Sequence, residues 1–476
     1  MNMIAPATDT VSILDDTDDL SARPAPTTLG LVIAWSASEP RRVGEVALFE
    51  GKGDRVLGRG DARSGELRAQ FVRQRPGTNQ AAGSLGGLSL SREQLVIRST
   101  GAGLEVVRKG RCALVVGGAE RDRVTLEPGM TALLKGQLLL LCVMRPTTLP
   151  RLRHFPESAV GPFGAPDRVG MLGESERMWA IRERIAFIAR ADAHALLLGA
   201  SGTGKELAAN AIHALSSRSG RAFVARNAAT IPSSLIDAEL FGNAKNYPNP
   251  GMSERAGIVG EAHGGTLFLD EIAELGHDMQ AHLLRVLDAN GEYQRLGEPT
   301  ARRSDFRVVA ATNRDESSLK HDLLARLTLR AKLPTLDDRR DDVPLLVQHL
   351  LLRAAAKAPA LAERFVGDHD GMPFARVDAL LVDHLIHRTY ESNLRELDGV
   401  LWRAMAGSAG DVVVLTDEVA AELPRDDARA PRELTASEVQ ACVASEKGNL
   451  ERAAKRLGLK NRFALYRLMK KLAIDG

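Results

Sequence analysis

The sequence predicts a multidomain protein with three folds in series: an all-β sandwich, an α/β phosphate-loop domain with an α-helical lid, and a small all-α helix-turn-helix. Three observations predict this order. Short apolar runs broken by glycines fill residues 29–145, a glycine-rich loop follows an apolar strand near residue 199, and a basic helical unit with a central glycine closes the chain. At 476 residues the chain exceeds one ordinary core, and length alone suggests about three domains.

Residues 1–28 are rich in Thr, Asp, Ala and Pro and read as a disordered leader. Over 29–145 the runs Leu31-Val32-Ile33, Val46 to Phe49, Leu95-Val96-Ile97, Leu104 to Val107, Leu114 to Val116 and Leu138 to Val143 have strand length and turn residues between them, which argues a β-sandwich. A linker with Pro and Gly spans 146–167. Over 168–335 helical segments alternate with continuous apolar strands, Ala195 to Leu198, Thr266 to Leu269 and Arg307 to Ala310, the pattern of a parallel sheet covered on both faces. Beyond Pro334 strands are expected to stop, leaving a helical lid over 336–423. A charged linker (424–434) leads to the helix-turn-helix, 435–476. No internal repeat is evident.

Composition bounds the function. Hydrophobic residues are 44% and charged residues 26%, as in globular proteins, while aromatics at 4% leave packing to Leu, Ala and Val. Lys+Arg is 63 against Asp+Glu 61, so any nucleic-acid surface must be local. Cys112, Cys142 and Cys442 lack metal-ligand spacing and suit a reducing compartment. No stretch approaches the roughly 20 apolar residues of a membrane helix. The N-terminus carries Asp15, Asp16, Asp18 and Asp19 where a signal peptide has bases, so a cytoplasmic protein is expected.

The loop reads Gly199-Ala200-Ser201-Gly202-Thr203-Gly204-Lys205-Glu206. Glycines let backbone amides turn inward around phosphate, the following helix N-terminus adds a favourable dipole, and Lys205 reaches the terminal phosphates. The expected ligand is ATP with Mg2+. Glu206 stands where a Ser or Thr usually ligates magnesium, which moves that role to Asp270 in Leu267-Phe268-Leu269-Asp270-Glu271. An acid pair at a strand end places one carboxylate on the metal and the other on the attacking water.

Residues 168–400 resemble the AAA+ domain of the sigma-54-dependent transcriptional activators. The resemblance rests on the loop, the acid pair, Glu239-Leu-Phe-Gly242, Gly264 to Ile272, Leu283 to Leu287, Ala310-Ala-Thr-Asn-Arg314 and Asn393-Leu-Arg-Glu-Leu397. It implies a ring-forming ATPase in which Glu271 and Asp270 are catalytic and Asn227 restrains Glu271. It further implies that Asn313 senses the γ-phosphate, Arg395 is the lid arginine, and Arg326 enters a neighbour's site. An ordinary surface arginine is the alternative for Arg326. Lys320 occupies a partner-arginine position and keeps the charge without the planar fork. The family's Gly-Ala-Phe-Thr-Gly-Ala loop, which grips sigma-54, is here Asn246-Tyr247-Pro248-Asn249-Pro250-Gly251, leaving Tyr247 as the one candidate substitute. RNA polymerase is an expected partner, with the sigma-54 contact in question.

The N-terminal sandwich resembles a forkhead-associated domain, a phosphothreonine reader. Gly58-Arg59 and Ser91-Arg92 match its phosphate-binding residues, whereas Gln94 replaces its histidine and Gly117-Gly118 its Asn-Gly. An interaction lid on the ATPase is the competing role. The C-terminal unit resembles a Fis-type helix-turn-helix, with a turn one residue longer. Ala453-Ala454 facing Gly458 allows close helix crossing. Lys460, Asn461, Arg462 and Tyr466 would face the major groove, with Arg467 and Lys470 among the phosphate contacts, on a two-fold DNA site bound by a dimer. Three functions stay open: an ATP-hydrolysing DNA-bound regulator, a non-hydrolysing one in which ATP controls only oligomerisation, or a phosphopeptide-binding scaffold.

Overall fold

A computed structural model of the chain describes residues 25–231, 235–288 and 291–422, together with Met469. The chain divides into two units, residues 1–419 and 420–476. Most of the leader, the linker 424–434 and the helix-turn-helix with Lys460, Asn461, Arg462, Tyr466, Arg467 and Lys470 lie outside the described residues.

The N-terminal runs become strands β1 (Thr27–Ser36), β2 (Val46–Leu48), β3 (Asp54–Leu57), β4 (Phe71–Arg75), β5 (Thr78–Ala81) and β6 (Leu95–Ser99). They continue as β7 (Leu104–Arg108), β8 (Leu114–Val116), β9 (Ala119–Glu120), β10 (Arg123–Leu126), β11 (Thr131–Leu134) and β12 (Leu138–Pro146). The first strand therefore starts two residues inside the expected leader. One sheet runs β5-β4-β2-β1-β12-β11-β8-β9 and the other β10-β7-β6-β3. Leu31, Ile33, Phe71, Ile97, Leu104 and Leu140 meet between them in one core. Each such buried side chain stabilises the fold by about 1.5–3 kcal/mol.

The next region supplies α1 (Glu176–Ala191), β13 (Ala195–Leu198), α2 (Lys205–Ala214), β14 (Phe223–Asn227), α3 (Ile236–Phe241) and α4 (Gly257–Glu261). It continues with β15 (Thr266–Asp270), α5 (His277–Asp288), the short pair β16 (Glu292–Tyr293) and β17 (Arg302–Arg303), β18 (Arg307–Thr312), α6 (His321–Arg326) and β19 (Leu329–Lys332). Five strands form a parallel sheet in the order β14-β15-β18-β13-β19. Both faces are buried, which is why these strands read as continuous apolar runs. Leu196, Leu267, Leu269, Val308 and Ala310 enter one core, and Ala195, Leu197, Phe268, Val309 and Ala311 the other.

The lid holds α7 (Val343–Lys357), α8 (Pro359–Ala362), β20 (Val366–His369), β21 (Met372–Ala375), α9 (Ala379–His387), α10 (Asn393–Gly407) and α11 (Asp417–Glu422). Strands do not stop at Pro334 as expected: β20 and β21 form an antiparallel hairpin. Asp370 (φ 55°) and Gly371 (φ 73°) make its two-residue turn, and an Asp-Gly pair supplies the two positive φ values such a turn needs.

Alternation fails in β1 because the strand is covered twice. Leu31 and Ile33 enter the sandwich core, while Val32 and Ala34 are buried with α7 and α9 packed along the strand. Hydrogen bonds join sandwich to lid, among them Trp35 Nε1 to the Val377 carbonyl (2.7 Å) and Thr131 Oγ1 to Asp383 Oδ1 (2.5 Å). Among the described residues no helix is long and apolar enough to cross a membrane.

Candidate functional site

The site lies at the carboxyl ends of the parallel strands, where open α/β sheets place their ligands. The loop from Gly199 to Gly204 joins β13, which lies between β18 and β19 in the sheet, to α2. Its tightest position is Gly202 (φ 73°), where a Cβ would stand 2.1 Å from the Ser392 carbonyl, so no side chain fits. Gly204 (φ 97°) adopts a left-handed conformation at the start of α2. Thr203 Oγ1 donates to the Ala200 carbonyl (2.9 Å), closing the loop from within. Lys205 Nζ donates to the carbonyls of Gly199 (2.8 Å) and Ala200 (3.2 Å). Burial pulls the Lys205 pKa below the ordinary lysine range, and the charges of Asp270 and Glu271 oppose that shift. The ammonium is therefore held over the loop at a position where an anion would offset its desolvation. Glu206 is exposed on the first turn of α2.

Asp270 ends β15 and pairs in register with Asn227 at the end of β14. Glu271 follows with φ 53°, a conformation uncommon for a residue with a side chain and one found at functional sites. Asp270 Oδ1 accepts from the Glu271 amide (2.9 Å), and Asn227 Nδ2 donates to Glu271 Oε2 (3.1 Å). Asn227 is itself fixed, because its Oδ1 accepts from the Ala229 amide (2.8 Å). Asn313 is the exposed residue after β18, and Arg326 is the exposed last residue of α6. The Lys320 amide donates to Gln280 Oε1 (2.9 Å).

The lid closes over the same loop. Arg395 Nη1 donates to Ser201 Oγ (3.0 Å), Asn393 Nδ2 to the Ser201 carbonyl (3.0 Å), and the Leu394 amide to the Gly202 carbonyl (3.2 Å). Asn393 escaped the sequence reading as a site residue. It is buried with φ 49°, and its Oδ1 also accepts from the Leu336 amide (2.8 Å), so one side chain ties phosphate loop to lid. Beside the loop lies a cavity of about 130 Å³, largely apolar through Met171, Leu172, Leu207, Leu333 and Leu350, with Arg339 and Arg353 also lining it. Asp270 and Glu271 are the two carboxylates whose charge reaches Lys205, and among the described residues no three His, Cys, Asp or Glu side chains gather as a metal cage. One carboxylate completed by phosphate oxygens and water suits magnesium.

In the sandwich, Arg59 and Ser91 come together: the Arg59 amide donates to the Ser91 carbonyl (3.0 Å). Arg92 is exposed next to them. Ser91 Oγ accepts from the Arg111 amide (3.1 Å). Two further residues build this corner. Arg68 donates to the carbonyls of Gly58, Arg59, Gly60 and Arg92, and Gln94, fully buried, accepts from the amides of Ser91 and Cys112. Gln94 thus anchors the Ser91 turn at the position where a histidine was expected.

The substituted loop is folded on itself. Buried Asn243 donates to the carbonyls of Ala244 (3.0 Å), Tyr247 (3.3 Å) and Ser253 (3.1 Å). Asn246 Oδ1 accepts from the Gly251 amide (3.0 Å), and Tyr247, though 41% exposed, lies against Gly297.

Comparison with known proteins identifies the family. The sigma-54 interaction domain profile matches residues 171–335. The transcriptional regulatory protein ZraR of Salmonella typhimurium is 35% identical over 374 residues, covering 72% of this chain and 80% of ZraR. The chain belongs to the sigma-54-dependent transcriptional regulators. Other relatives in this family include the formate hydrogenlyase transcriptional activator of Salmonella typhimurium, 34% identical over 64% of this chain and 44% of that protein. NtrC of Azospirillum brasilense is 37% identical over 54% of this chain and 52% of its own length. Among solved structures, NtrX from Brucella abortus in complex with ATP shares 30% identity over 67% of this chain and 71% of that chain, with a TM-score of 0.45.

Proposed function

We propose that the chain is a DNA-bound transcription regulator that binds and hydrolyses ATP in a ring, with the sandwich as its regulatory input. The observation that carries the reading is the convergence of Lys205, Asp270, Glu271 and Asn227 at the strand ends, with Asn227 hydrogen-bonded to Glu271. In this reading Glu271 accepts a proton from the attacking water, and Asn227 holds its carboxylate until the water is in place. Asp270 would hold magnesium, which supplies charge neutralisation on the transferring phosphoryl group. Lys205 and Arg395 bind and orient the phosphates, and the apolar cavity takes the base. Arg326, exposed at the end of α6, would serve a neighbour in the ring, where a guanidinium stabilises transition-state charge.

The sandwich corner of Arg59, Ser91 and Arg92 supports phosphothreonine as the input, since an arginine fork and a hydroxyl suit phosphate oxygens. DNA would be held by Lys460, Asn461, Arg462 and their neighbours. The self-bonded loop Asn243 to Ser253, without the family's Phe and Thr, supports an output other than standard remodelling of sigma-54 holoenzyme. The test is a purified system on a sigma-54 promoter. With ATP, the protein is expected to leave the closed complex unchanged while a family member with the full loop opens it. Open-complex formation by this protein would restore the standard output.

A further inference from the structure

Met171 and Leu172 line the base-side cavity, and the sandwich holds the segment they begin, Met171–Ser175, from behind through Glu174. On the inner side, Arg182 of α1 donates to the carbonyls of Met171 (2.9 Å) and Gly173 (2.8 Å). Arg339 Nη1 donates to the Leu172 carbonyl (3.2 Å) and itself lines the cavity. Asp342, with no exposed surface, accepts from the amides of Glu174 (2.7 Å) and Ser175 (3.0 Å) and from Ser175 Oγ (2.5 Å). Gly173 is required here, because a Cβ would lie 2.6 Å from Asp342 Oδ2.

On the outer side the partners come from the sandwich. Arg75 of β4 forks onto the buried Glu174 carboxylate (2.6 and 3.3 Å) and donates to the Gly161 carbonyl (2.9 Å). Arg145 of β12, 3% exposed, donates to the Glu174 carbonyl (3.0 Å) and to the Asp341 carboxylate. Glu174 also accepts from the Gly164 amide (3.0 Å) and Trp179 Nε1 (3.2 Å). These are buried charges, and removing one member leaves its partner without compensation, so the pairs hold one geometry or rearrange together.

We infer that the sandwich sets the affinity of the nucleotide pocket, with Arg75 and Arg145 as positioning residues that act through Met171–Ser175. The inference rests on the reading that this pocket binds ATP, and adds how the regulatory domain reaches it. Docking of the sandwich fixes the backbone of Glu174 and Ser175, which fixes Leu172 and Arg339 at the cavity wall. Coupling of this kind typically changes affinity by about five- to 150-fold, and by reciprocity bound nucleotide strengthens sandwich docking by the same factor.

The test measures binding of a fluorescent ATP analogue, and steady-state turnover, in the full chain. Variants are Arg145→Met, Arg145→Lys and Asp341→Asn, with Arg98→Met, at the exposed Asp54 pair, as control. Arg145→Met and Asp341→Asn are expected to weaken binding about fivefold or more, raising KM with kcat unchanged at saturation. Arg145→Lys is expected to fall between them and the wild type, and the control to bind as wild type. A merely structural role would lower the folded fraction and leave KM unmoved. If Arg145→Met does not fold, Asp341→Asn decides. Wild-type affinity in the folded Arg145→Met and Asp341→Asn proteins overturns the inference alone. A folded wild type that binds no nucleotide, indistinguishable from Lys205→Ala, overturns the pocket reading and the inference with it.

Discussion

Glu271→Gln is expected to bind ATP with wild-type affinity and to hydrolyse it about 10²-fold or more slowly. The amide preserves the side chain's volume and a hydrogen bond with Asn227, now 3.1 Å from Oε2, but it accepts no proton from water. Affinity is expected to persist because in the proposed reading the phosphates are held elsewhere, by the loop amides, Lys205 and Arg395, which lie together at the loop. Phosphate release at saturating ATP, beside equilibrium binding of a fluorescent analogue, separates the two effects. Equal turnover in variant and wild type would remove Glu271 from the chemistry. Equal loss of binding would assign it to the phosphate grip instead.

Arg307→Met is expected to destabilise the ATPase unit by about 3 kcal/mol. Arg307 starts β18, is 1% exposed, and donates to the carbonyls of Ala189 (3.3 Å) and Ile188 (2.6 Å) at the end of α1 and of Ala193 (2.8 Å) just beyond it. Burial pulls its pKa down to about 10, still charged at neutral pH. Methionine fills the space and leaves those three acceptors without their donor. The same strand leads to Thr312 and Asn313, so the loss should appear in urea unfolding and, below full unfolding, as weaker nucleotide binding. A change under 0.5 kcal/mol would mean that water or backbone movement replaces the guanidinium.

Much of the site was legible because its chemistry is sequence-local. Gly199 to Lys205 and Asp270-Glu271 each lie at one strand end, where the apolar run announces the element and so the position of the residues that follow it. The parallel sheet was legible for the same reason: continuous apolar runs between helical segments mean two buried faces. What stayed hidden depends on partners distant in sequence. Arg339 and Asp342 lie in a run of charges, Asp337 to Asp342, in which nothing local in sequence marks them for burial, yet both are buried against residues 172–175. Asn393 was visible only as part of a motif; its role as a tie between loop and lid needs Ser201 and Leu336 beside it. Gln94 read as an eroded motif position, but an amide and an imidazole both satisfy buried backbone groups. The lid hairpin was missed although Asp370-Gly371 signals a two-residue turn, because its strands are short and lie among helices.

The most direct test of shared, ring-based hydrolysis is steady-state ATPase activity of the wild-type chain across a range of protein concentrations, with and without Arg326→Ala. A site completed by a neighbour's Arg326 predicts specific activity that rises with concentration, and an Arg326→Ala variant that binds ATP and stays slow throughout. Turnover that is absent at every concentration, or constant per subunit and indifferent to Arg326→Ala, would contradict it.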